Sequence, residues 1–231
     1  MKDWVTLLSE GIEILRGGDR DIDRIIAPRS DEFIFHLKRY IKEIELFNSA
    51  YGLVGTNDTN ELITKHILDS LAPLGIIIKL LKDSNAGKTA QIADVGSGAG
   101  LPGIPLAIVL PQHNFTLIER MGRRAGFLLN TKAVLSLSNV NVEEGELEKA
   151  ESGVFNLITF RAFKSMEPKL IKTLLKKCAQ GGVIATYKGR RDKIEAEMAS
   201  LQKVCENWEA IQYVTPFLDE ERHLLVIKPQ N

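Results

Sequence analysis

A charge excess of either sign is missing from this chain of 231 residues: 30 Lys and Arg offset 30 Asp and Glu. A chain-wide polycationic coat for nucleic acid is thereby excluded, while a local basic surface stays open. Cysteine is scarce. Cys178 and Cys205 lack C-x-x-C spacing and fall in stretches with helical patterns, so neither a disulfide nor a metal role is expected. Long apolar runs are absent too. The longest candidate, Leu71 to Leu81, is interrupted by Lys79, and no membrane span is expected. The first residues carry Asp3 and Glu10 and no cleavage-site pattern, so no secretory leader is expected. Internal repeats and low-complexity tracts are likewise missing. What remains is a chain of ordinary globular composition, 44% hydrophobic and 26% charged, long enough for one domain with a small appendage.

The most informative stretch is Gln91-Ile-Ala-Asp-Val-Gly-Ser-Gly-Ala-Gly-Leu-Pro-Gly-Ile-Pro105. Gln91 to Val95 reads as a buried strand with Asp94 near its end. Gly96, Gly98 and Gly100 then alternate, and an apolar helical pattern begins around Gly103, with Pro105 tolerated in its first turn. Strand, glycine loop and helix bring backbone N–H groups against a ligand, because glycine has no Cβ to block the approach. Gly98, Gly100 and Gly103 also satisfy G-x-G-x-x-G, which NAD enzymes share. The next strand, Phe115 to Glu119, ends in an acid about twenty residues beyond the glycines, where a carboxylate meets ribose hydroxyls. A bound nucleoside is therefore expected. Asp94 two residues before the first glycine makes D-x-G-x-G-x-G, which favours S-adenosylmethionine (SAM) over NAD.

Residues 1 to about 82 read as helical, and 84–88 as the link into a core domain; the expected division is 1–85 and 86–231. Ser30 is the expected cap of a helix whose Phe33, Leu37, Tyr40, Ile41, Ile44 and Phe47 share one face. Thr59 is the expected cap of a helix running to Leu71, on which His66 and Asp69 are three apart and share a face. From Gln91 onward strands and helices alternate: helix 122–137, strand 139–143, strand 155–160, helix 168–179 stopped by Gly181-Gly182, strand 183–187 and helix 191–206. The gap between strands 208–214 and 223–228 is too short for a helix, so these should pair antiparallel. The expected fold is α/β: five parallel strands plus a terminal antiparallel hairpin, the class I SAM-methyltransferase plan, with an N-terminal helical segment.

Ligands of open α/β sheets bind beyond the carboxyl ends of the strands. Arg123, Arg124, Arg161, Lys164, Lys188, Arg190, Arg191, Arg222 and His223 are expected at those ends. Convergence of so many cations on one rim would suit a polyanion such as RNA. After the fourth strand, Arg161-Ala-Phe163 stands where enzymes that methylate exocyclic amines carry Asp/Asn-Pro-Pro-aromatic. Neither cysteine falls at the rim, as a pyrimidine-C5 mechanism would require. Guanine N7 needs neither device: its lone pair is nucleophilic and no proton leaves, so positioning carries the catalysis.

Asp94-Val-Gly-Ser-Gly-Ala-Gly-Leu-Pro-Gly-Ile-Pro105, His66-Ile-Leu-Asp69-Ser, Gly122-Arg-Arg124, Arg161-Ala-Phe163, Tyr187-Lys-Gly189 and Glu221-Arg-His223 resemble the small-subunit ribosomal RNA methyltransferase G family (RsmG, GidB), from about residue 45 onward. Many members have Tyr-Asn-Leu-Thr where this chain has Tyr51-Gly-Leu-Val54. The resemblance implies SAM-dependent methylation of guanine N7 in 16S rRNA, in the cytoplasm; a monomer is expected. The expected substrate is 16S rRNA or a precursor of the small ribosomal subunit. With Asp94, Gly98 and Gly100 from the motif and the others implied by the resemblance, the expected cofactor set is Asp94, Gly96, Gly98, Gly100, Leu101, Glu119, Leu147, Glu148 and Arg161. Gly96 and Leu101 would lie on the methionine side, Glu119 on the ribose, Leu147 and Glu148 at the adenine and Arg161 at the reacting end. Arg161, His66 and Asp69 are the positioning candidates.

Overall fold

The computed structural model describes residues 3–84, 86–161 and 166–229. The chain begins with helices α1 (Trp4–Gly18), α2 (Arg20–Ile26) and α3 (Ser30–Tyr51), followed by α4 (Thr59–Leu62), a π-helical turn (Ile63–Leu68), α5 (Asp69–Leu71) and α6 (Leu74–Asp83). The core then alternates β1 (Gln91–Val95), α7 (Gly103–Val109), β2 (Asn114–Glu119), α8 (Gly122–Val134), β3 (Val140–Glu144), β4 (Phe155–Arg161), α9 (Pro168–Lys177), β5 (Cys178–Lys188), α10 (Arg191–Leu201), β6 (Trp208–Tyr213) and β7 (Arg222–Ile227).

Seven strands form one sheet in the order β3-β2-β1-β4-β5-β7-β6. β1 to β5 are parallel, and β7 runs antiparallel to both β5 and β6. The central strands are buried on both faces, whereas β3 and β6 alternate with exposed residues, as edge strands do. Alternate side chains feed two cores. Ile92, Leu117, Leu157 and Leu224 join a cluster with α7, α8 and the N-terminal helices. Ala93, Ile118, Ile158 and Leu225 join a second cluster with α9 and α10. The apolar stripes of α1, α3 and α6 are buried in the first of these clusters, so the N-terminal helices share the core of the sheet.

Several local expectations are corrected. The N-cap of α4 is Asp58, whose carboxylate accepts from the N–H groups of Asn60 and Glu61; Thr59 is already helical and its hydroxyl meets Glu45. Ser30 is likewise inside α3, which continues a 3-10 turn through Arg29. α9 ends at Lys177, and β5 starts at Cys178, with Gly181 and Gly182 in a register shift that pairs Phe155 with Cys178 but Leu157 with Val183. Cys178 is thus a strand residue and Cys205 follows α10; both are buried thiols.

Candidate active site

The loop after β1 turns sharply, and Gly96, Gly98 and Gly100 all take positive φ (68°, 57° and 88°). A Cβ at Gly98 would meet only Gly96 O, at an ordinary contact distance of 3.9 Å, so the loop presents bare backbone on that side. Gly100 faces the other way, towards Ile104 and Leu128, and Leu101 is buried; neither reaches the cleft. Behind the loop, Glu119 at the end of β2 is 4% exposed. Its Oε2 accepts from Gly98 N–H at 2.9 Å and its Oε1 from Met121 N–H at 2.9 Å. The acid therefore clamps the glycine loop to the start of α8 while its remaining lone pairs face a cleft. That cleft is lined by Val95, Gly96, Ile118, Glu119, Met121, Arg124 and the segment Gly145–Glu148, in which Leu147 opens a 3-10 turn.

Asp94 has a different place from that of an acid facing the cleft. It is fully buried, and Oδ2 accepts from Gly103 N–H at 3.0 Å, tying β1 to the first turn of α7. A Cβ at residue 103 would overlap that carboxylate, so the glycine there permits the contact. Burial pushes the Asp94 carboxyl up to about 7. Asp94 shapes the loop from behind and does not line the cleft.

Two side chains unread from sequence hold the walls. Tyr40 on α3 donates its hydroxyl to Ala99 O in the glycine loop at 2.7 Å, and burial holds that hydroxyl protonated by raising its pKa. Lys177, 5% exposed, donates to Glu148 O, Ala150 O and Ser152 Oγ, fixing the turn that carries Leu147 and Glu148. Tyr40 reads as one more residue of an apolar stripe, and Lys177 carries no signal of its own in the sequence.

Arg161, the last residue of β4, points its guanidinium at the π-helical turn. Nη1 donates to Lys65 O at 3.1 Å and Asp69 Oδ2 at 3.3 Å, and Nη2 donates to His66 Nδ1 at 2.8 Å. The turn makes this possible. Asp69 N–H bonds His66 O instead of the Lys65 carbonyl that a regular α-helix would use, and Lys65 O accepts from Arg161. Because arginine only donates, the neutral His66 ring carries its proton on Nε2. Burial, then the Arg161 charge, holds its imidazole down at about 4. Asp69 is 3% exposed and its other oxygen, Oδ1, meets Thr215 Oγ1 at 3.0 Å, Tyr213 OH at 3.2 Å and Arg222 Nε at 3.3 Å. Tyr187 donates to Ser70 O at 2.7 Å beside this hub. The expected trio Arg161, His66 and Asp69 is therefore one network, joined to the β6–β7 hairpin.

The expected basic rim is interleaved with acids. Lys188 pairs with Glu197, Arg190 with Asp192, Arg191 with Glu195, and Arg222 with both Asp69 and Glu220. His223 does not reach the surface: it is 2% exposed and donates Nδ1–H to Gly189 O at 2.8 Å. Arg124 donates to Gly52 O at 3.0 Å and borders the cleft, while Arg123 is exposed. Lys164 lies outside the described residues.

A parallel sheet closed by an antiparallel hairpin, with a glycine loop after the first strand and a buried acid ending the second, defines a class I SAM-dependent methyltransferase. Solved structures share this fold: a putative SAM-dependent methyltransferase from Methanococcus maripaludis (TM-score 0.57, 14% identity, 83% of this chain and 92% of that one) and the tRNA methyltransferase TrmI from Aquifex aeolicus (TM-score 0.53, 13% identity, 71% and 69%). A family profile for rRNA small subunit methyltransferase G (GidB) matches residues 34–225. Curated relatives of the name "Ribosomal RNA small subunit methyltransferase G" include those of Treponema denticola (36% identity, 83% of this chain and 85% of the relative) and Cellvibrio japonicus (35%, 92% and 89%). This chain belongs to the small-subunit rRNA methyltransferase G family.

Proposed function

We propose that this enzyme transfers the methyl group of SAM to N7 of a guanosine in 16S rRNA. It acts in the cytoplasm, as a monomer, on 16S rRNA or a precursor of the small subunit, with helices 1–85 packed on a methyltransferase core of residues 86–231. The cleft fits the cofactor. Glu119 has lone pairs for ribose hydroxyls, the bare backbone at Gly96 and Gly98 admits the methionine end, and Leu147 and Glu148 supply the adenine wall. Bound SAM supplies an electrophilic methyl. The chain's own residues orient: Glu119 and Tyr40 fix the loop, Lys177 fixes the adenine wall, and Asp69 with His66 fixes Arg161. Asp94 shapes the site from behind. Arg123, with Arg190, Arg191 and Lys188 exchanging their intramolecular partners and Arg222 exchanging Glu220 while it keeps Asp69, grips phosphates.

The observation that carries the choice of acceptor is the end of β4. His66 has its Nδ1 lone pair engaged by Arg161, and Asp69 already accepts from four side chains. Neither is available as a general base, and an N7 acceptor loses no proton. The test maps 7-methylguanosine by borohydride–aniline cleavage of 16S rRNA from a strain lacking this chain, with and without complementation. Loss of one cleavage site and its return on complementation are expected; an unchanged pattern would refute the assignment. Single-turnover rates should be flat between about pH 6.5 and 9.

A further inference from the structure

Three acids of the rim face cations that do not need them as buried counter-charges. Arg222 already has the buried Asp69 at 3.3 Å and still takes Glu220 at 2.8 Å. Arg190 meets Asp192 at 2.7 Å and Arg191 meets Glu195 at 2.8 Å, and both arginines are more than half exposed. The acids themselves are open to solvent, with side chains 49% (Glu220), 54% (Asp192) and 55% (Glu195) exposed. They differ from the other acids of the rim. Glu197 takes Met166 N–H at 3.2 Å as well as Lys188, and Glu221 takes Arg191 N–H at 3.0 Å, so each of these also holds backbone in place. Nor is every cation near the cleft neutralised: Arg123 has no ion pair among the described residues.

Exposed pairs of this kind add little to stability. Their consequence lies in the charge of the surface. Asp192, Glu195, Glu197, Glu220 and Glu221, set against Lys188, Arg190, Arg191 and Arg222, leave no positive excess among these groups. An RNA of any sequence gains affinity by releasing counterions where its phosphates meet free cations, and a surface without positive excess withholds that gain. Phosphates take these arginines only where the shape of the RNA brings them close enough to displace each carboxylate. We propose that Asp192, Glu195 and Glu220 are specificity-determining residues, which hold the rim arginines against RNA of the wrong shape and release them to the substrate. The inference rests on the RNA methyltransferase reading above and deepens it to the choice between RNAs. Discrimination of this kind comes from repelling wrong partners as much as from contacts with the right one.

The test uses the full chain with a 16S rRNA transcript and an unrelated structured RNA of equal length. In the triple variant Asp192→Asn, Glu195→Gln, Glu220→Gln, the Kd for the unrelated RNA should fall roughly tenfold at low salt, and the salt slope should steepen by about 0.7–0.9 for each freed cation. Affinity for the transcript should rise less, so that discrimination narrows, while SAM affinity by calorimetry and the melting temperature stay at wild-type values. Asp21→Asn removes an acid paired with Lys82 at the end of α6, the helix that leads into the start of β1, and should change neither RNA affinity. The single variants Glu195→Gln and Glu220→Gln carry the same comparison should the triple variant fold poorly, each with about a third of the change in slope. Unchanged binding of the unrelated RNA, an equal gain for both RNAs, or the same gain from Asp21→Asn would each overturn the proposal. A wild-type enzyme that forms no 7-methylguanosine in the transcript or in small subunits would instead refute the assignment on which it rests.

Discussion

Asp69 is the residue whose removal the structure makes most consequential. Its side chain is 5% exposed and it is the acceptor for Arg161, Arg222, Tyr213 and Thr215. In Asp69→Ala, Arg161 keeps Lys65 O and His66 Nδ1, and Arg222 keeps Glu220 and the Glu221 carbonyl. Both guanidiniums lose their buried counter-charge, and two hydroxyls lose their acceptor. Breaking one side of a buried ion pair costs about 3–5 kcal/mol. At about 2–4 °C per kcal/mol for a chain of this size, the melting temperature should fall on the order of 10 °C. Asp69→Asn retains one carbonyl oxygen but turns an amide donor towards one set of donors, so it should lose roughly half as much. Because the hub joins Arg161 to the hairpin, both variants should also lower single-turnover methyl transfer more than they weaken SAM binding. Thermal melts, calorimetry with SAM and a single-turnover assay at fixed RNA check the three statements. An Asp69→Ala enzyme that melts within about 2 °C of wild type, or that loses SAM affinity as steeply as rate, would refute this account of the hub.

Glu119→Gln should behave as a disruptive change despite its shape, since each Oε accepts from a backbone N–H and one of them would face an amide donor; SAM affinity should fall about ten- to a hundredfold by calorimetry, from the loss of bonds contributing roughly 1.5–3 kcal/mol. Lys177→Met leaves Glu148 O, Ala150 O and Ser152 Oγ without their donor, so the KM for SAM should rise about tenfold with kcat nearly unchanged, measured by steady-state kinetics. His66 takes a proton at about 4 in the fold but near 6.5 when unfolded, so the unfolded state binds more protons between these values and its contribution to stability is lost as pH falls through that window. Denaturant titrations of His66→Gln should lack that component of the pH dependence. Asp94, raised from 3.8 to about 7, contributes the opposite slope, a gain in stability as pH falls through 7, which Asp94→Asn should remove.

The class of fold and the glycine loop with the acid behind it were legible in the chain, because both are written in local pattern. Apolar runs of strand length, three alternating glycines and an acid twenty residues on are each visible within one βαβ unit. The terminal hairpin followed from a gap too short for a helix. Boundaries that rest on competition between neighbours were less legible: Asp58 and not Thr59 caps α4, and β5 begins before its glycines because Phe155 of β4 already pairs with Cys178.

What only the tertiary structure decided is which polar atoms meet. The spacing of His66 and Asp69 shows that they share a face, but their partner Arg161 is more than ninety residues away, and Thr215 more than a hundred and forty. Asp94 was legible as an acid beside the glycines, yet its carboxylate turns inward to Gly103. Most of the cations expected at the strand ends do lie there, but the sequence carried no sign that Glu195, Glu197 and Asp192 would neutralise three of them. The physical reason is the same in each case. Hydrophobic periodicity and turn chemistry act over a few residues and survive in a linear reading, whereas a buried hydrogen bond must be completed by whatever the closed fold brings within about 3 Å.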